Sequence, residues 1–521
     1  MPAYLPRINW RHMANLSTPD VSEQPSQRDL DRRVGSGIAW MAITKWGSQI
    51  VSWASLLLLQ KFLTPFDFGL LTMTTILFGL IQMVSEFGID GVLLVAKNLP
   101  QEKITTLHTV SSLLGLLAGA IACASAPLMA HFFRTPQLLA VVPVFSISFL
   151  VSGFRVVPQT LLLRDLRFRR VSIIEVTQTF TQATVAVLLA WLNFRYWALV
   201  WAPVIAAGAA AFLFWLQRPV GFIRPNLSTV RSELHFSRQL IVARITWFLY
   251  SNSDFAVAGR TLGPSSLGLY SMAWNISSIP VEKITAIVSR TAPSILNRVQ
   301  HDTPAIRRYV RILTESVSLL TFPVAAGIAL VARPLVEGVF DPKWHDAVLP
   351  LQLLAAGVIP RCIVPLVYPV LMLIGEVGFM MWLSIITAFM LPLSFLVASR
   401  WGPAGIAGAW LVYPLLTLPL FVRMLKRLEM PAGDYLKCLK AATVASAVMV
   451  AAVCLVESFP SHMPALGRLA TDVLAGAASY TATILLFFRS RLVALRAVFT
   501  GTDSAVTVLT EETGTPSVGI P

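Results

Sequence analysis

The feature that most constrains this chain is the recurrence of long, unbroken apolar runs. Spanning a hydrocarbon layer takes roughly 20 mostly apolar residues, and runs of that length recur about 14 times. They fall near 38–60, 68–95, 106–130, 137–162, 171–193, 196–216, 239–260, 265–290, 312–332, 347–373, 377–399, 404–423, 439–457 and 468–488. None alternates apolar and polar residues, so strands of a barrel are not a competing reading. The fold class expected is an all-α polytopic membrane protein. Composition agrees: 55% of the 521 residues are hydrophobic and only 13% charged, about half the share a soluble domain carries. That leaves too little polar surface for soluble globular domains, and it excludes a disordered or fibrous chain.

The formal charge of +15, from 41 Lys and Arg against 26 Asp and Glu, needs its own account, since a basic balance suits nucleic acid, anionic lipid or membrane topology. Basic clusters recur in alternate loops: Arg164, Arg167, Arg169 and Arg170; Arg218, Arg224, Arg231 and Arg238; Arg298, Arg307, Arg308 and Arg311; Arg423, Lys426 and Arg427. The positive-inside rule puts those loops in the cytosol, with an even number of spans and both termini inside. Interleaved aromatics are missing from these loops, which argues against a nucleic-acid surface. Loops are short, no GxxxxGK[ST] phosphate loop occurs, and the seven His are scattered without metal spacing. Cys123, Cys362, Cys438 and Cys454 have no CxxC spacing and read as small core residues. Neither cofactor nor metal is expected.

An internal repeat divides the chain. KFLTPFDFGLL at Lys61–Leu71 aligns with RTLGPSSLGLY at Arg260–Tyr270, matching Lys61 with Arg260, Leu63 with Leu262, Pro65 with Pro264, Gly69 with Gly268 and Leu70 with Leu269. The offset equals six spans, and it also carries Lys45 of the first span onto Arg244 of the seventh. Two pseudosymmetric six-helix lobes of like orientation follow, with two further helices behind them. The organisation expected is a cytoplasmic polar tail (1–35), a first lobe (36–217), a cytoplasmic amphipathic linker (218–238), a second lobe (239–428), helices 13 and 14 (429–490) and a disordered cytoplasmic tail (491–521). Gly115 and Gly119 read as a helix-packing site.

Ionisable groups at membrane depth cost several kcal/mol, so they line wet cavities or form pairs. The cations are Lys45, Arg155, Arg244, Lys283 and Arg361; the acids in or near spans include Glu86, Asp90, Asp254, Glu282, Glu315 and Asp472. Internal pairing, with Asp254 or Glu282 neutralising Arg244 or Lys283 to lock helices, is the bland reading. Against it, cations in both lobes describe a central cavity that attracts an anion, and Arg and Lys favour phosphate or carboxylate. Pro280, beside Glu282 and Lys283, is expected to interrupt the eighth span. Pro360, Pro365 and Pro369 flank Arg361 in the tenth.

The chain resembles the polysaccharide-transporter (Wzx-like) branch of the MOP flippase superfamily, closest to the colanic-acid and teichuronic-acid exporter type. The residues that carry this are Ser36–Leu71, SEFGIDGVLL (Ser85–Leu94), LLLRDLRFRR (Leu161–Arg170), RTLGPSSLGLYSMAW (Arg260–Trp274) and FDPKWHDAVLPLQLLA (Phe340–Ala355). The resemblance implies a lipid-linked oligosaccharide flippase that moves undecaprenyl-pyrophosphate-linked repeat units across a bacterial inner membrane by alternating access, coupled to protons or another cation. Besides that cargo its partners would be membrane lipids and the polymerase or export machinery. The family has no universal motif to transfer, so the residue choices rest on burial and charge: substrate would engage Lys45, Arg155, Arg244, Lys283 and Arg361, with Asp254 and Glu282 as ion-coupling acids. Two alternatives stay open: a multidrug cation antiporter of the same superfamily, and an integral-membrane glycan polymerase or ligase. The second would need a large outer loop that the spacing of the spans does not leave.

Overall fold

The computed structural model describes residues 27–85, 93, 100–224, 248, 250–300, 302–459 and 464–489. Arg244, Glu86 and Asp90, most of the linker and the tail beyond 490 lie outside the described residues. The described secondary structure is helical. α1 spans Gln27–Phe62, α2 Pro65–Ser85, α3 Gln101–Ala124, α4 Ala126–Phe133, α5 Leu138–Arg164, α6 Phe168–Trp191 and α7 Trp197–Gln217. Then come α8 (Ser253–Arg298), α9 (Thr303–Val339), α10 (Val348–Arg361), α11 (Val364–Leu373), α12 (Val377–Ala398), α13 (Gly402–Ala409), α14 (Tyr413–Arg427), α15 (Ala432–Ser458) and α16 (Ala465–Phe487). Ten stretches of the described residues are long and apolar enough to cross a membrane, and Val377–Arg427 holds two crossings in succession.

The helices carry their apolar residues all round, as a lipid environment allows. Trp46, Leu128, Phe389 and Leu486 are among many large apolar side chains left on the outside. α1 starts at Gln27 and so runs into the segment expected as a polar tail. α8 is two helices joined at Gly263, whose φ of 82° only glycine adopts cheaply. Pro280 does not interrupt the second of them. The helix runs on to Arg298, because packed neighbours can hold a proline-containing membrane helix together. The tenth span does break, between α10 and α11, immediately after Arg361.

Within the first lobe, α1 packs on α6, α3 packs on α5, and α5, α6 and α7 pack on one another. α3 and α5 meet backbone to backbone: a Cβ on Gly115 would lie 2.9 Å from the Gly153 Cα, and Ser111 Oγ donates to the Gly153 carbonyl at 2.8 Å. In the second lobe, α8 packs on α9, α10 and α13, while α15 and α16 lie against α9.

The lobes meet chiefly through α2 and α8, at the end of the bundle that carries both repeat turns (the turn end, opposite the end where α1 begins). The contact is reciprocal. A Cβ on Gly69 would sit 1.7 Å from the Pro264 carbonyl oxygen, and one on Gly268 would sit 1.8 Å from that of Pro65. Thus the two copies of the repeat press their glycines on each other's prolines. Trp344, fully buried, reaches across as well: its Nε1 donates to the Gln60 carbonyl at 3.3 Å and its ring meets Phe68 edge-on at 5.3 Å. Lys343 Nζ donates to the Lys61 carbonyl at 3.0 Å. Deeper in, Gly79 of α2 faces the Phe248 ring.

Candidate functional site

A cavity of about 570 Å³ opens in the second lobe between α8, α10, α11, α14 and the residues just before α8. Such a volume falls within the roughly 300–1,000 Å³ of small-ligand pockets. Arg361, the last residue of α10, is on its wall, roughly 20 Å along the span from Val348. The guanidinium lies in the angle between two indoles: its Cζ is 4.1 Å from the Trp410 ring centroid and 4.8 Å from that of Trp274. The two rings are 5.2 Å apart and inclined at 44°, so one side of the guanidinium is covered and the other faces the cavity. Cation–π attraction is worth up to about 2 kcal/mol or more when desolvated. Arg361 Nη1 is buried and has no hydrogen-bond partner among the described residues.

Behind Trp410 sits Asp254, fully buried. Its Oδ2 accepts from the Tyr270 hydroxyl at 2.6 Å and from Trp410 Nε1 at 3.1 Å; the same N–H lies 2.9 Å from the Tyr270 oxygen. Asp254 Oδ1 has no partner among the described residues. Asp254 therefore fixes the indole on which Arg361 rests, and it is absent from the cavity lining. Tyr270 closes the second copy of the repeat, where the first has Leu71; the buried polar cluster is a property of one lobe.

Glu282 lines the cavity and Lys283, beside it on α8, does not; both are exposed. Lys45 is exposed on α1 in the other lobe. Arg155 Nη1 donates to Gln178 Oε1 at 2.9 Å, tying α5 to α6. The fold thus brings Arg361, Glu282 and Asp254 to one place and leaves Lys45 and Arg155 outside it. Among the described residues, Asp254's hydrogen-bond partners are a tyrosine and a tryptophan and not Lys283; Arg244, the other cation named for such pairing, lies outside the described residues. Trp274, Trp410 and Tyr270 escaped the reading of the sequence. Their signal was depth: an indole N–H far from a span end needs a partner that lipid cannot supply.

Two six-helix lobes meeting at pseudosymmetric turns, with two helices behind, form a fold shared with solved membrane proteins of the MOP superfamily. Among solved structures the chain is similar to the lipid II flippase MurJ in an inward closed conformation, with a TM-score of 0.68 and 15% identity over 87% of this chain and 99% of that one. It is also similar to an inward-facing MATE-family multidrug resistance transporter of the MOP superfamily, with a TM-score of 0.57 and 13% identity over 73% and 94%. The profile of the family described as "Polysaccharide biosynthesis protein" matches residues 58–349, and the chain belongs to that family. The lipopolysaccharide biosynthesis protein WzxC of Escherichia coli is 25% identical over 62% of this chain and 67% of its own. The succinoglycan biosynthesis transport protein ExoT of Rhizobium meliloti is 24% identical over 88% and 94%. The chain is a multi-pass membrane protein of that family.

Proposed function

We propose that this protein is a flippase for lipid-linked oligosaccharides, carrying undecaprenyl-pyrophosphate-linked repeat units across a bacterial inner membrane, with both termini in the cytosol. The observation that carries the reading is Arg361: a guanidinium without an ion-pair partner among the described residues, seated against two indoles on a cavity wall, in a chain whose family is polysaccharide biosynthesis. Keeping such a cation at membrane depth costs about 3 kcal/mol, a cost a cargo anion offsets when it binds. With the basic loops inside, the turn end is the outer end, so the Gly69–Pro264 and Gly268–Pro65 contacts close the outer side. Cargo then enters from the inner leaflet, where Lys45 and Arg244 draw in the pyrophosphate. Arg361 engages an anionic group, with Arg155 and Lys283 as further contacts, and the lobes rock about the α2–α8 contact.

Asp254 and Glu282 are the proposed coupling acids. Their placement disfavours the multidrug alternative, which needs an acid open to a cationic drug. Asp254 is closed behind Trp410, and Glu282 shares its cavity with Arg361. Polymerase or export machinery as partners is part of the same proposal.

Reconstitution into liposomes with a lipid-pyrophosphoryl-oligosaccharide tests this. Cargo should become accessible to an outside probe faster than in protein-free liposomes, while a lipophilic cationic drug should not be moved. Drug movement without cargo movement would refute the reading.

A further inference from the structure

Resting on the flippase reading, a narrower question is which part of the cargo the second-lobe cavity holds. A pyrophosphate diester carries two negative charges, and burying it takes at least matching positive charge. The described lining offers one guanidinium, Arg361, and one carboxylate, Glu282. Asp254, one layer behind, adds another negative group. Glu282 is exposed and keeps its hydration, and Asp254 is held by Tyr270 and Trp410, so the lining has one guanidinium to match one incoming negative charge. Bringing a dianion into it leaves at least one charge unpaired in a low-dielectric site, which is among the largest penalties a binding site can impose. A monoanion has a match: a carboxylate meets the planar guanidinium fork in bidentate fashion.

The rest of the lining has the character of a sugar site. Asn252, Ser251, Ser278 and Thr285 offer neutral donors and acceptors, while Tyr368 and Tyr413 add aromatic surface that also carries hydroxyls. Apolar faces with a few convergent polar groups bind small polyhydroxylated ligands. The volume holds a sugar ring or two and not a whole lipid-linked repeat. We infer that this cavity is a glycan subsite selective for a sugar bearing a single carboxylate, with Arg361 as its recognition residue and Glu282 excluding dianions, so that the pyrophosphate is held elsewhere.

Equilibrium binding to the full chain in lipid nanodiscs tests this with three probes: methyl β-glucuronide, methyl β-glucoside and inorganic pyrophosphate. The glucuronide should bind at least about tenfold more tightly than the glucoside, the worth of one charge-assisted hydrogen bond, and more tightly than pyrophosphate. Arg361→Gln should bring glucuronide and glucoside level, Arg361→Lys should keep the preference in weakened form, and Glu282→Gln should narrow the gap to pyrophosphate. Equal binding of the two sugars by the wild-type protein, or displacement of bound glucuronide by pyrophosphate, would overturn the inference, and neither wild-type comparison depends on a variant folding. Cargo transport by the same preparation separates the two levels. Transport without a carboxylate preference sinks the subsite alone; loss of transport by the wild-type protein sinks the flippase reading.

Discussion

At the scale of single residues, the site is a cation held by aromatic faces rather than by an acid. Charge made Arg361 legible in the sequence, because an arginine deep in an apolar run demands an explanation. Trp410 and Trp274 were not legible as its support, because tryptophan in a membrane chain reads first as an interface anchor. Asp254 was legible as a charge within a span and not as buried, since one of its partners, Trp410, comes from 156 residues further along the chain. Asp254→Asn leaves an oxygen to accept from Tyr270 and Trp410, so the folded protein should persist, with stability lowered by about 1–3 kcal/mol for the lost charge-assisted bonds. Transport should then lose its stimulation by an imposed ion gradient; stimulation at wild-type level would place coupling on another group. A second residue-scale prediction concerns Glu376, just ahead of α12, where Arg423 and Arg427 hold its carboxyl below the ordinary value of 4.5. Arg423 Nη2 is 3.1 Å from Oε2, and Arg427 Nε donates to Oε1. A lowered folded-state value means the contribution is whole above 4.5 and fades as the pH falls through the folded-state value beneath it. Melting curves of wild type and Glu376→Gln should thus differ by a constant amount at neutral pH and converge in acid. Convergence on raising the pH instead would show that the pairing is not what stabilises this end.

Among the elements, the α2–α8 contact is the one about which the lobes are proposed to rock. The repeat itself was readable from matched residues, and Gly69 and Gly268 stood out as one of its matched pairs. That each copy packs on the other was not readable, because an offset in sequence says nothing of which faces meet. The geometry makes a sharp prediction. Gly69→Ala or Gly268→Ala puts a methyl group where a carbonyl oxygen now sits, 1.7 and 1.8 Å away. Overlap of that kind costs about 1–3 kcal/mol, and only the closed form of the turn end bears it. Spin labels at Thr64 and Thr261, both exposed, should report a longer-distance population roughly 5- to 100-fold enriched by either substitution, on the scale of about 1.4 kcal/mol per tenfold. Unchanged distances in both variants would show that the backbone absorbs the methyl without opening. The broken tenth span shows the other limit of sequence reasoning. Pro360, Pro365 and Pro369 located the break beside Arg361 correctly, whereas Pro280 marked none, since a proline removes one hydrogen bond while neighbouring helices decide whether the helix yields.

For the whole molecule, the architecture was the most legible level and the cavity the least, for one physical reason. Membrane helices are recognised by runs of apolar residues, and those runs survive any arrangement of the helices. A cavity depends on which faces are wet, and when most faces are apolar the periodicity that betrays a buried face in water is missing. Positive charge illustrates the division. The basic loops at the terminal end engage acids there, as in the 3.0 Å pair of Arg307 with Glu429, and are accounted for by topology; Arg361 alone among the described cations sits on the cavity wall. This one guanidinium is proposed to anchor an anionic cargo during transbilayer movement. Its most direct test is the initial rate at which a lipid-pyrophosphoryl-oligosaccharide becomes accessible on the far side of proteoliposomes carrying equal amounts of wild type, Arg361→Lys or Arg361→Gln. The rate should fall at least about tenfold for Arg361→Gln, with Arg361→Lys in between. Equal rates for wild type and Arg361→Gln would contradict it.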